Sequence, residues 1–143
     1  MARKFFDPST WFGPSRRGLT DRVVRMLNER RYDALADILA EDFVFLDTAG
    51  SPIRGREPFL EAMREVHRQA PDIRIEVDEE FEQEGDVLTK GRLVSAEPDY
   101  RSESLWRIKF AGDKVSEIQA FRDNNAVSVT RLTAHLRRSP AAS

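Results

Sequence analysis

The chain contains no cysteine in its 143 residues. Disulfides, thiolate metal sites and cysteine nucleophiles are therefore excluded. Imidazoles are scarce, with only His67 and His135, so a multi-histidine metal centre is not expected and no cofactor is predicted. No segment approaches the roughly 18 consecutive apolar residues of a membrane span. The N-terminus starts basic, but no continuous apolar stretch follows it, and the reading is a cytoplasmic protein with no membrane partner. Neither sign of charge dominates: 23 Lys and Arg against 25 Asp and Glu leave a net of −2. Nucleic-acid binding, which needs a clustered basic surface, is not predicted.

What is present is a length suited to one domain. Residues 1–18 carry Phe5, Phe6, Trp11 and Phe12 among prolines, glycines and arginines, and read as an aromatic, basic arm. Residues 19–138 form the expected domain and 139–143 a disordered tail. Thr20 is the expected cap of a first helix, in which Val23, Val24, Met26 and Leu27 follow helical spacing. A second helix with Leu35, Ile38 and Leu39 is expected after an Asp33 cap, and Phe43 to Asp47 reads as a strand. Ile53-Arg54 makes a short return, and Glu57-Pro58 opens a third helix with Phe59, Met63 and Val66 on its buried face. The period then changes to two. Ile73, Ile75 and Val77 alternate with charged residues, and three further strands follow over 87–95, 104–110 and 115–122. Asp123 or Asn124 is the expected cap of a final helix that carries Val127, Leu132 and Leu136. Helices gathered on one side of an antiparallel sheet define an α+β class.

Asp33-Ala34-Leu35-Ala36-Asp37-Ile38-Leu39-Ala40-Glu41-Asp42-Phe43-Val44-Phe45, followed by Gly55-Arg56-Glu57-Pro58-Phe59, resembles the nuclear transport factor 2-like superfamily. Trp106 to Phe110, Gly112 to Ile118 and Phe121-Arg122-Asp123 fit the same pattern, so the likeness spans roughly Leu19 to Leu136 and is nearest to the SnoaL-like and ketosteroid isomerase branches. It implies a cone-shaped curved antiparallel sheet, three N-terminal helices packed on its concave face, and a C-terminal helix. Many members dimerise through the open sheet face, and a homodimer of that kind is expected. This superfold carries many unrelated jobs.

Asp47 matches the general base of the isomerases, which moves a proton beside a carbonyl. Val23 stands where those enzymes hold a tyrosine, and Trp106 stands near the position of their second oxyanion donor. Ala120 occupies the last-strand position at which epoxide hydrolases and polyketide cyclases place an aspartate. The expected pocket is apolar, lined by Val23, Leu27, Phe43, Phe45, Phe59, Met63, Trp106, Ile118 and Ala120. Alternation groups Arg122 with Ile118 and Ala120, where it could hold an anionic group. His67 reads as a solvated or edge-of-core histidine, and Asp123 as a helix cap. The expected function is a pocket for a small hydrophobic molecule, polyketide- or steroid-like, with isomerase or cyclase chemistry through Asp47. The alternative is a non-catalytic dimeric module with a vestigial pocket.

Overall fold

The computed structural model describes residues 15–47, 52–122 and 133–137. Helix α1 (Arg16–Asn28) is capped by Ser15, whose hydroxyl accepts from the Gly18 amide at 3.0 Å. The cap thus precedes Thr20, the residue expected from sequence. Thr20 is buried, and its hydroxyl donates to the Arg16 carbonyl at 2.9 Å, as threonines inside helices do. Helix α2 (Tyr32–Ile38) follows, with Asp33 in its first turn and Arg31 at the cap position. Strand β1 (Leu39–Leu46) runs toward Asp47, and β2 (Ile53–Arg54) returns beside it. Gly55, at φ 101°, then turns the chain into helix α3 (Arg56–Gln69), a conformation that side chains on Cβ disfavour.

Four long strands complete the sheet: β3 (Arg74–Gln83), β4 (Asp86–Val94), β5 (Ser102–Ala111) and β6 (Lys114–Arg122). A 3₁₀ turn at Pro98–Tyr100 joins β4 to β5. The β3–β4 hairpin turns on Glu84 and Gly85, both with positive φ (54° and 87°), the pattern that matches strand twist in two-residue loops. The sheet order is β2-β1-β6-β5-β4-β3. Five strand contacts make this sheet, and four are antiparallel; β1 and β6 run parallel. The sheet is therefore mixed, and it stays unclosed, with β2 and β3 at its edges.

Alternation gives the sheet two unlike faces. Val87, Thr89, Gly91, Ser102, Ser104, Ile108, Ile118 and Ala120 point to one face and are buried. Helix α1 packs on β3, β4 and β6, and α3 packs on β1 and β2. Phe59 of α3 meets Phe43 and Phe45 of β1 at ring distances of 4.7 and 5.4 Å, in tilted geometry. Full burial of one such ring contributes about 2–3 kcal/mol. Asn28, at the end of α1, bridges to the outer strand: its amide donates to the Ile75 carbonyl at 3.0 Å and accepts from the Ile75 amide at 2.8 Å. On the opposite face Arg92 joins Asp78, Glu76 and Glu103 in an exposed ion network. Phe81 and Phe121 are also exposed there.

The expected arm falls largely on residues outside those described, although Arg16, Arg17 and Gly18 belong to α1. The expected final helix also lies mostly outside them, with a 3₁₀ turn described at Ala134–Arg137.

Candidate functional site

A cavity of about 100 Å³ opens between α1, α3 and the covered face of the sheet. Val23 and Leu27 reach it from α1, Phe59 and Met63 from α3, and Phe45, Trp106 and Ile118 from the sheet. These are seven of the residues expected at a pocket. Phe43, Ala120 and Arg122 are buried but are not on its wall. Phe43 is fully covered by core packing. Ala120 and Arg122 lie farther along β6, past Ile118.

Asp47 is likewise off the wall, two residues beyond Phe45. Its carboxylate meets the Arg122 guanidinium: Arg122 Nη2 donates to Asp47 Oδ2 at 2.7 Å, and Arg122 Nε donates to Oδ1 at 3.2 Å. The two side chains are 0% and 2% exposed. The parallel pairing of Phe45 with Ile118 and Leu46 with Gln119 brings the ends of β1 and β6 together, which makes this contact possible. A guanidinium presents its donors as a rigid fork and a carboxylate accepts on both oxygens, so the pair is bidentate and fully desolvated.

The walls of the cavity are mostly apolar, so each polar group there is informative. The Thr20 hydroxyl is spent on the Arg16 carbonyl, and the Asn28 amide on the Ile75 backbone. Thr89 differs. It is 1% exposed and lines the cavity, and its hydroxyl oxygen has no hydrogen-bond partner among the described residues. Leaving a buried hydroxyl unpaired costs about 1–3 kcal/mol. Arg74 and the indole of Trp106 also line the cavity, and His67 is another exception. It lies on the cavity wall, and its Nδ1 shares a short hydrogen bond with the Tyr32 hydroxyl of α2. Burial, aided by the nearby Arg30 charge, lowers its pKa to about 4, so the imidazole is neutral at pH 7.

The sequence reads His67 as a solvated or edge-of-core histidine, and the structure has it half-buried at the edge of the core. The missed signal for its place on the cavity wall was its position beside Val66 and four residues after Met63, on the face that α3 buries. Nothing local announces Tyr32, which lies 35 residues away. Glu80 was also passed over. It lies in register with Thr89, its side chain is 7% exposed, and burial beside Asp21 raises its pKa to about 7 against the pull of Arg17. Among the described residues no group of three or more His, Cys, Asp or Glu gathers as a metal site would require. No helix among them is long and apolar enough to cross a membrane.

An α+β cone with a largely apolar hollow between its helices and its sheet is the architecture of the nuclear transport factor 2-like proteins. Residues 20–118 match the family model of the SnoaL-like domain, and the chain belongs to that family. No curated protein matches it. Solved structures resemble it in fold. An NTF2-like protein of unknown function from Cytophaga hutchinsonii superposes with a TM-score of 0.65 at 16% identity, over 87% of this chain and 96% of that one. A protein from Kribbella flavida, provisionally named a ketosteroid isomerase, gives 0.67 at 20% identity, over 76% and 77%. Another from Jannaschia sp. CCS1, provisionally named a SnoaL-like polyketide cyclase, gives 0.65 at 15% identity, over 85% and 94%.

Proposed function

We propose that this chain takes a compact, largely apolar carbonyl compound into its cone, a small relative of the polyketide- or steroid-like class. The supporting observation is the cavity itself, with mostly apolar walls interrupted by the Thr89 hydroxyl, which has no partner among the described residues. Its size sets the scale of the ligand. An apolar cavity of about 150 Å³ holds benzene, and this one is about 100 Å³. One ring or a short chain suits it after small side-chain shifts, for which the unbranched Met63 is suited. Four fused rings need the walls to part. The enzymatic form of this reading is proton transfer beside the carbonyl, with Asp47 as the base. That form requires Asp47 to exchange its Arg122 contact for the substrate.

Binding is tested by calorimetry with cyclohexanone and its methyl derivatives, against the unmodified protein and a Val23→Phe variant that fills the cavity. Saturable binding lost in Val23→Phe supports the reading, and no binding at millimolar ligand overturns it. Deuterium exchange beside the carbonyl, compared between the protein and Asp47→Asn, tests the enzymatic form; equal rates remove Asp47 as base.

The second reading, a dimeric module, is favoured by Phe81 and Phe121, each 46% exposed among the described residues on the sheet face opposite the helices. Sedimentation of the protein and of Phe121→Lys tests it. A dimer that the substitution dissolves supports sheet-face assembly, and a monomer in both removes it.

A further inference from the structure

The family resemblance sets a donor for the ligand's carbonyl oxygen on the first helix, and this chain has Val23 there. Among the polar groups on the cavity wall, those of Thr20 and Asn28 are committed to the backbone. His67 offers what Val23 lacks. Its ring sits 5.7 Å from the Tyr32 ring, and the Arg64 guanidinium lies 4.9 Å over the tyrosine. The phenol is thereby held between α3 side chains, with its hydroxyl on His67 Nδ1.

The Tyr32–His67 contact can run in either direction, and its direction sets the His67 tautomer. Burial raises the Tyr32 pKa, against the pull of Arg30 and Arg64, so the phenol keeps its proton at neutral pH. With the phenol as donor, its proton is received by Nδ1. A neutral imidazole that accepts at one nitrogen must carry its hydrogen on the other. In that arrangement Nε2 carries the hydrogen, and it has no hydrogen-bond partner among the described residues.

We propose that His67 Nε2–H receives the carbonyl oxygen of the ligand, and that Tyr32 is the positioning residue that fixes this tautomer. The assignment rests on the cavity reading above and gives the bound carbonyl a definite contact. A neutral donor suits a ketone or aldehyde, whose oxygen is uncharged before reaction, and offers little to a carboxylate, which gains most from a cation. Thr89 supplies a second polar point from the sheet side, so a ketone with an additional hydroxyl or keto group is the preferred class.

Calorimetry with two probes of one shape, cyclohexanone and methylenecyclohexane, tests the assignment. In His67→Phe the ketone should lose about tenfold in affinity, the loss of one hydrogen bond, while the hydrocarbon changes less than about twofold. In Tyr32→Phe the ketone should weaken by about threefold, because the freed imidazole spends part of its time with Nε2 as acceptor. Nitrogen-15 NMR of the imidazole should report the Nε2–H tautomer in the unmodified protein and a mixture in Tyr32→Phe. Equal losses for both probes, or an Nδ1–H tautomer in the unmodified protein, overturn the assignment and leave the cavity reading standing. Failure of both probes to bind the unmodified protein overturns the cavity reading and this assignment together.

Discussion

Removing one partner of the Asp47–Arg122 pair should be among the most damaging single changes to this fold. Both side chains are almost fully buried, at 0% and 2% exposure. Asp47→Leu leaves the guanidinium buried without that carboxylate, and loss of one member of a buried pair costs about 3–5 kcal/mol. For a domain of this size each kcal/mol lowers Tm by about 2–4 °C, so a fall near 10 °C is expected. Arg122→Met should cost a similar amount. The double variant Asp47→Leu/Arg122→Met should cost far less than the two singles together, because an apolar pair needs no solvation and replaces buried ion pairs with little loss. Urea unfolding at pH 7 measures all four proteins, and the cycle isolates the coupling, expected near 2–3 kcal/mol. Single variants that each cost under about 1 kcal/mol and simply add would refute the reasoning, since they would place the pair in a solvated setting.

Two titrations should oppose one another in the pH dependence of stability. His67 has a folded pKa of about 4 against an ordinary 6.5, with Tyr32, Arg30 and Arg64 around it. Its share of stability is full above pH 6.5 and falls as pH drops toward 4, by about 1–2 kcal/mol once partial exposure is allowed for. Glu80 is raised from 4.5 to about 7. Its share is full below pH 4.5 and is lost as pH rises through 7, so Glu80→Gln should stabilise the protein at pH 8 by about 1–3 kcal/mol. Tm profiles of His67→Gln and Glu80→Gln that run parallel to that of the unmodified protein would refute both assignments. Gly91→Ala should cost about 2–3 kcal/mol in urea unfolding, because a Cβ there meets the Glu76 carbonyl oxygen at 2.0 Å. Thr89→Val should raise ligand-free stability by about 1 kcal/mol, seen as a higher Tm, because it removes an unpaired buried hydroxyl.

Periodicity made much of this fold legible. Val23, Met26 and Leu27 mark the buried face of α1, and Phe59, Met63 and Val66 that of α3. Family membership was legible in the stretch from Asp33 to Phe59. The helix start was misread because Thr20 has the chemistry of a cap, yet its hydroxyl bonds back into its own helix. What the sequence hid is non-local. The parallel alignment of β1 with β6 joins strands far apart in the chain, and no local pattern encodes which strand becomes a neighbour. Asp47 and Arg122 were each noticed as single residues, but their contact spans 75 positions. His67 looked ordinary because its meaning depends on Tyr32, in another helix.

The outermost strand carries one last consequence. Between Arg74 and Gln83 it exposes Glu76, Asp78, Glu79 and Glu82, and its pairing within the sheet is with β4 alone. Two copies that approach rim to rim bring like charges into register, which discourages the runaway stacking that bare strand borders invite. Acidification neutralises that guard, so prolonged storage near pH 4 is where fibril growth should first show.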